Sequence, residues 1–163
     1  MKNIFPQGAA YIDNKFVDIS EAKIPVLDWG FLRSDATYDV VHVWNGRFFL
    51  LENHIDRFFN SAKKLRMPCS LSKKKLKEIL AKCVQKSGLK NSYVEMIQTI
   101  GMSPTFDRDP RKAKPRFIAF AVPFGWILKP DNFEEGLSAY VTDVVRIPPT
   151  SIDPAIKNYH WLD

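Results

Sequence analysis

Residues 38–51 read Tyr38-Asp39-Val40-Val41-His42-Val43-Trp44-Asn45-Gly46-Arg47-Phe48-Phe49-Leu50-Leu51, and this stretch decides the architecture. β-branched and aromatic residues crowd both sides of Asn45-Gly46. Asn-Gly tolerates positive φ at both central positions of a type I′ turn, whose twist matches that of the strands it joins. The stretch is a β-hairpin. From Glu52 the spacing changes: Ile55, Phe58, Phe59, Ala62 and Leu65 recur at steps of three and four, which marks an amphipathic helix. It should stop near Met67-Pro68, because proline disfavours helical backbone in the residue before it. A second helix follows, with Leu76, Ile79, Leu80, Cys83 and Val84 on one face, Ser72 as N-cap and Gly88 as terminator. Cys83 is therefore a small core residue rather than a reactive thiol.

Outward from this centre the pattern is β again. Upstream, Ala10-Tyr11-Ile12 and Phe16-Val17 flank the turn-rich Asp13-Asn14-Lys15, while residues 26–32 show no clear period. Downstream, Ser92–Ile100, Arg116–Val122 and Gly136–Ile147 read as strands. A loop over 101–110 separates the first two, and Pro148-Pro149 ends the third. This order predicts an α+β fold: an N-terminal antiparallel sheet with two helices over residues 1–125, then a linker and the beginning of a second β-rich domain over 126–163. So short a second piece cannot bury a core of its own, so it is expected to be the opening of a larger unit.

The chain has 163 residues, enough for one domain or one and a part. With 45% hydrophobic and 26% charged residues it can fill a core, which excludes a disordered chain. No apolar run approaches the ~18 residues of a membrane span, and the N-terminus lacks a signal peptide's apolar stretch. A soluble, cytoplasmic protein is expected. Cys69 and Cys83 are too few for a disulfide scaffold and lack metal-ligand spacing. Lys plus Arg is 24 against 18 acidic residues, a formal charge of +6. Much of the excess sits in Lys63-Lys64, in Lys73-Lys74-Lys75 with Lys77, and in Arg111-Lys112 with Lys114. A solvated helix face accounts for the middle group, so nucleic acid is not expected, and an anionic ligand fits the sign equally well.

Phosphate-loop, HExxH, CxxC and GxSxG motifs are absent. His42, His54 and His160 lie in different elements, so no metal site is expected. Asp35, Asp39, Glu52 and Asp56 show no spacing that singles out an acid/base pair. Two basic residues stand out. Arg57 lies at the edge of the first helix's apolar face, where it either snorkels to solvent or turns inward and grips an anion bidentately. Lys157 lies in Ile152-Asp153-Pro154-Ala155-Ile156-Lys157-Asn158-Tyr159, with Trp161 beyond. It is either one more exposed lysine or an amine among apolar neighbours, an environment that favours imine chemistry.

The run Gly30-Phe31-Leu32-Arg33-Ser34-Asp35-Ala36-Thr37-Tyr38-Asp39-Val40, then Asn45-Gly46-Arg47-Phe48-Phe49, then Leu51-Glu52-Asn53-His54-Ile55-Asp56-Arg57-Phe58-Phe59-Asn60-Ser61-Ala62, resembles the N-terminal domain of class IV (fold-type IV) pyridoxal-phosphate aminotransferases. The group includes branched-chain and D-amino-acid aminotransferases, (R)-selective amine transaminases and aminodeoxychorismate lyase. Arg146-Ile147-Pro148-Pro149-Thr150-Ser151-Ile152-Asp153-Pro154-Ala155-Ile156-Lys157-Asn158 resembles the segment that carries their Schiff-base lysine. The resemblance implies that Arg57 binds the phosphate of pyridoxal 5′-phosphate, and that Lys157 carries the cofactor aldehyde and shuttles the substrate proton. It places Tyr38 and Val40 on the strand lining the substrate pocket, with Arg33 where amine-transaminase relatives commonly carry histidine. The wording of residues 34–44 is closest to (R)-selective amine transaminases. Ile100 stands where many relatives have arginine, and the glutamate expected at the pyridine nitrogen would lie past Asp163. The implied activity moves an amino group between an amine or amino acid and a 2-oxo acid, in a homodimer. A lyase acting on aminodeoxychorismate and a non-catalytic remnant that binds a partner or ligand are the alternatives.

Overall fold

The computed structural model describes residues 4–67 and 69–160. Six strands form one antiparallel sheet: β1 Ala9–Ile12, β2 Lys15–Asp18, β3 Ala36–Trp44, β4 Arg47–Phe48, β5 Ser92–Met102 and β6 Lys114–Val122. Their order across the sheet is β2-β1-β6-β5-β3-β4. The helices are α1 Trp29–Arg33, α2 Leu51–Lys64 and α3 Lys73–Ser87. This is the expected α+β architecture with its N-terminal antiparallel sheet. No helix among the described residues is long and apolar enough to cross a membrane.

Both turns fall where the sequence places them. Asn45 and Gly46 take positive φ between β3 and β4, as Asp13 and Asn14 do between β1 and β2. β4 is shorter than the expected Arg47–Leu51, because Leu50 turns into the left-handed region (φ 48°) as the cap from which α2 starts. α2 ends at Lys64 with Leu65 as its cap, before Met67; Pro68 lies outside the described residues. In α3 the Ser72 hydroxyl accepts the Lys75 N–H at 3.1 Å, and Gly88 closes the helix at φ 69°. The unassigned segment around 26–32 holds α1, capped by Asp28, whose carboxylate accepts the Gly30 N–H at 2.9 Å.

Alternation along the strands sorts the two faces of the sheet. Val41, Val43, Val94, Met96, Ala119 and Ala121 point to one face and meet Ile55 and Phe58 of α2 and Leu76, Ile79, Leu80 and Cys83 of α3. Cys83 is a core residue as expected, and burial pushes its thiol up to about 12. Tyr38, Val40, Glu95 and Ile97 alternate onto the opposite face, where Val40 pairs with Glu95 and Tyr38 with Ile97.

The expected strand Gly136–Ile147 does not form. Tyr140 is 94% and Val141 100% exposed, and no strand lies beyond β6 among the described residues. A strand needs a neighbour to take its N–H and C=O groups; here the segment's backbone is open to water despite its β-rich composition. From 126 onward the expected opening of a second β-rich domain is a short 3-10 turn at Pro130–Asn132 followed by extended chain and turns, until it returns to the sheet near residue 157.

Candidate active site

β4 pairs with β3 only at Val43 and Trp44, so the first part of β3 is an open edge. The segment carrying Lys157 returns to that edge. Thr37 and Asn158 form an isolated antiparallel bridge, and the Thr37 hydroxyl donates to the Lys157 carbonyl at 2.5 Å. On the other side the segment touches α2: the Lys157 N–H donates to Ser61 Oγ at 3.4 Å, and Lys64 Nζ pairs with Asp153 at 2.8 Å. Asp153 also accepts the Ala155 N–H at 2.8 Å, which shapes the turn before Lys157. The lysine is presented by a fastened loop.

Lys157 Nζ lies 4.5 Å from the centroid of the Tyr38 ring. Tyr159 stacks on Tyr38 with centroids 4.6 Å apart and planes 29° apart. Its hydroxyl donates to Glu95 Oε1 at 2.7 Å, while the Tyr93 hydroxyl donates to Glu95 Oε2 at 2.9 Å. Glu95 is 8% exposed. Burial, and then the charge of Glu95, raise the pKa of both tyrosines well above the ordinary range.

Arg57 has turned onto a partner within the domain. Its Nε donates to Asp39 Oδ2 at 2.6 Å and its Nη2 to Oδ1 at 2.7 Å, a bidentate grip. Asp39 is fully buried on the helix-covered face of β3, and it also accepts the Val40 N–H at 2.8 Å and lies 2.9 Å from His54 Nδ1. The hydrogen bonds to Asp39 hold the Arg57 guanidinium above its usual pKa. The arginine side chain is nevertheless 49% exposed. Two of its N–H groups face Asp39; the planar fork carries five, so the Nη1 side remains for an external anion. Ser61, which touches the Lys157 backbone, lies four residues after Arg57, hence about one turn along the same face of α2.

The structure therefore gathers Arg57, Lys157 and Tyr38 where β3, α2 and the returning loop meet, with Val40 on the same sheet face as Tyr38. Arg33 ends α1, and its guanidinium lies 4.0 Å over the Trp29 ring of its own helix. Asp39, Ser61, Glu95 and Tyr159 were not legible as site residues. Asp39 carries one usable signal, alternating in step with Val41 and Val43 on a buried strand face, where an acidic residue demands a cation. A cavity of about 80 Å³ opens beside Lys157, lined by Arg146, Ile147, Ile156 and Asn158. An apolar groove of about 500 Å³ runs along the opposite sheet face past Ile12, Ala36, Ile97, Ile118, Phe120 and Tyr159.

The sequence signature of class IV amino-transferases matches residues 36–163. The chain belongs to that family. A Methanocaldococcus jannaschii protein provisionally named branched-chain-amino-acid aminotransferase is 31% identical over 154 residues, covering 94% of this chain and 52% of the relative. The D-alanine aminotransferase of Staphylococcus haemolyticus is 25% identical over 138 residues, covering 83% of this chain and 48% of the relative. Among solved structures, the branched-chain aminotransferase of Thermoproteus uzoniensis with norvaline superposes at a TM-score of 0.79, with 25% identity over 93% of this chain and 51% of that one. The chain thus spans about half the length of the relatives it matches. Class IV aminotransferases use pyridoxal phosphate, and the donor set here fits that group. It offers a half-exposed guanidinium for a phosphate, a primary amine for an aldehyde, and an aromatic ring beside the amine.

Proposed function

We propose that this chain supplies the phosphate-gripping arginine and the imine-forming lysine of a pyridoxal-phosphate-dependent aminotransferase, which moves an amino group between an amino acid or amine and a 2-oxo acid. The observation that carries this reading is the docking of the Lys157 loop on the open edge of β3, with its backbone on Ser61, one turn along α2 from Arg57. Arg57, held on its inner edge by Asp39, offers its outer edge to the phosphate. Lys157 would hold the cofactor aldehyde through its amine, and its Nζ would carry the proton between the substrate carbon and the cofactor. Tyr38 and Val40 wall the substrate side. Bound pyridoxal phosphate supplies the electron sink for the charge that develops at that carbon. The names of the relatives favour a branched-chain or D-amino acid as donor, and the wording of residues 34–44 keeps an (R)-amine in the set. A homodimer in the cytoplasm is the assembly this reading implies.

The test is to add pyridoxal phosphate or phosphate-free pyridoxal to the chain, reduce with borohydride and map the labelled lysine by mass spectrometry. Lys157 should carry the label with both aldehydes, and Lys157→Ala should remove it. Arg57→Ala should weaken pyridoxal phosphate by roughly ten- to a hundredfold, the loss typical of a charge-assisted contact, and leave pyridoxal unchanged. Label spread over surface lysines, with Lys157 not preferred, would sink the assignment. Donor choice is then read by supplying L-leucine, D-alanine or an (R)-amine to the loaded protein and following the cofactor spectrum.

A further inference from the structure

We propose that Tyr159 is a positioning residue for Lys157, acting as a latch whose hydroxyl fastens the lysine loop to Glu95 on β5. This rests on the reading of Lys157 as the imine-forming residue. The other fastenings act at the loop's backbone or upstream of it: Thr37 on the Lys157 carbonyl, the bridge at Asn158, Ser61 on the Lys157 N–H, and Lys64 on Asp153. They join the loop to β3 and α2. Tyr159 ties it to a third element, β5. Its hydroxyl reaches Glu95 at 2.7 Å on the neighbouring strand, and its ring stacks on Tyr38, the ring that Lys157 Nζ faces at 4.5 Å. Glu95 is paired across the strands with Val40, so the latch closes on the same sheet face as Tyr38.

The chemistry of Glu95 makes the latch firm. A carboxylate that is 8% exposed is costly unless donors meet its oxygens. Here a different tyrosine hydroxyl meets each oxygen. Withdrawing Tyr159 would leave Oε1 without that donor, so the loop and the carboxylate hold each other in place. Hydrogen bonds to an ionised acceptor are the stronger kind. Tyr93 sits on β5 itself, two residues from Glu95, so it satisfies the carboxylate without restraining the loop. The two hydroxyls therefore differ in consequence: one orients Lys157 and the other only keeps Glu95 solvated.

The experiment uses pyridoxal, which has no phosphate, so that the grip of Arg57 does not enter. Condensation of the Lys157 amine with the aldehyde expels water. Borohydride then delivers hydride to the imine carbon, and the nitrogen takes a proton to leave a stable secondary amine. The pyridoxal concentration giving half-labelling of Lys157 is the readout. Tyr159→Phe keeps the ring and removes one oxygen, and should raise that concentration about three- to tenfold, the cost of immobilising a loosened side chain. Tyr93→Phe should leave it within about twofold, and on a Glu95→Ala chain Tyr159→Phe should add nothing further. Equal labelling of Tyr159→Phe and the parent overturns the latch while leaving the role of Lys157 intact. An equal loss from Tyr93→Phe also overturns it, by showing that the carboxylate acts only through sheet packing. A parent chain unlabelled at Lys157 defeats the underlying reading instead. Where Glu95→Ala does not fold, amide exchange at 157–159 in Tyr159→Phe decides: faster than the parent supports the latch, unchanged refutes it.

Discussion

The Tyr93 and Tyr159 hydroxyls donate hydrogen bonds to one carboxylate, and this ties stability to pH at the alkaline end. In an unfolded chain both phenols ionise near pH 10. In the folded protein, burial first and Glu95's charge second keep them neutral to higher pH. Above about pH 10 the unfolded chain has therefore released protons that the native chain keeps, and stability falls as pH rises; below that value the contribution is fully present. Each tyrosine can add a slope of at most ~1.4 kcal/mol per pH unit, less for the more exposed of the two. Urea unfolding between about pH 8 and pH 11 should show this decline in the parent and a shallower one in Tyr159→Phe. Parallel curves would mean that Tyr159 is not held neutral by the fold. Asp39 shows the same economy from the other side: a fully buried carboxylate is stable in β3 because Arg57 and a backbone N–H converge on it.

Elements are set by backbone chemistry that two glycines separate cleanly. Gly46 and Gly101 both take positive φ, 74° and 76°. A Cβ on Gly46 would meet nothing within 4 Å, whereas one on Gly101 would run into the Lys114 carbonyl oxygen, where β5 shifts register against β6 between Thr99 and Met102. Gly46→Ala should therefore cost about 1 kcal/mol, the left-handed penalty alone. Gly101→Ala should cost roughly 3 kcal/mol or more, because backbone must move. Thermal unfolding of the two variants checks the order; equal shifts would mean the bulge is soft. The Asn45-Gly46 turn was legible in the sequence because a two-residue turn is a local decision, and so were α2 and α3 from their apolar spacing and caps. The bulge at Gly101 was not, since it depends on the backbone of Lys114 on the next strand. The same distinction divides the site. Arg57 and Lys157 stand in recognisable local wording, while Asp39, Ser61, Glu95 and Tyr159 acquire meaning only when β3, β5, α2 and the loop are brought together.

At the scale of the whole molecule the chain divides by where its backbone hydrogen bonds go. From β1 to β6 the strands and α-helices send theirs into one sheet and the helices packed on it. Between the end of β6 and the returning loop, Leu137, Tyr140, Val141, Val144 and Val145 are exposed, and the run reads as a strand only by composition. Composition records what a segment can do once a neighbour is present, and pairing requires the neighbour. Exposed extended chain with few backbone bonds is where proteases cut first. Brief chymotrypsin treatment should accordingly cleave after Tyr140 or Leu137, well before any site within α2, α3 or the strands. Tyr11 and Phe58 offer suitable side chains there too, but they are 7% and 0% exposed and their backbone is bonded into β1 and α2. The first large product, read by mass, should therefore end near residue 140, and the complementary piece should begin there and contain Lys157. A first cut within 51–64, 92–102 or 114–122 would show that the sheet and its helices are less firmly closed than this hydrogen-bond pattern requires.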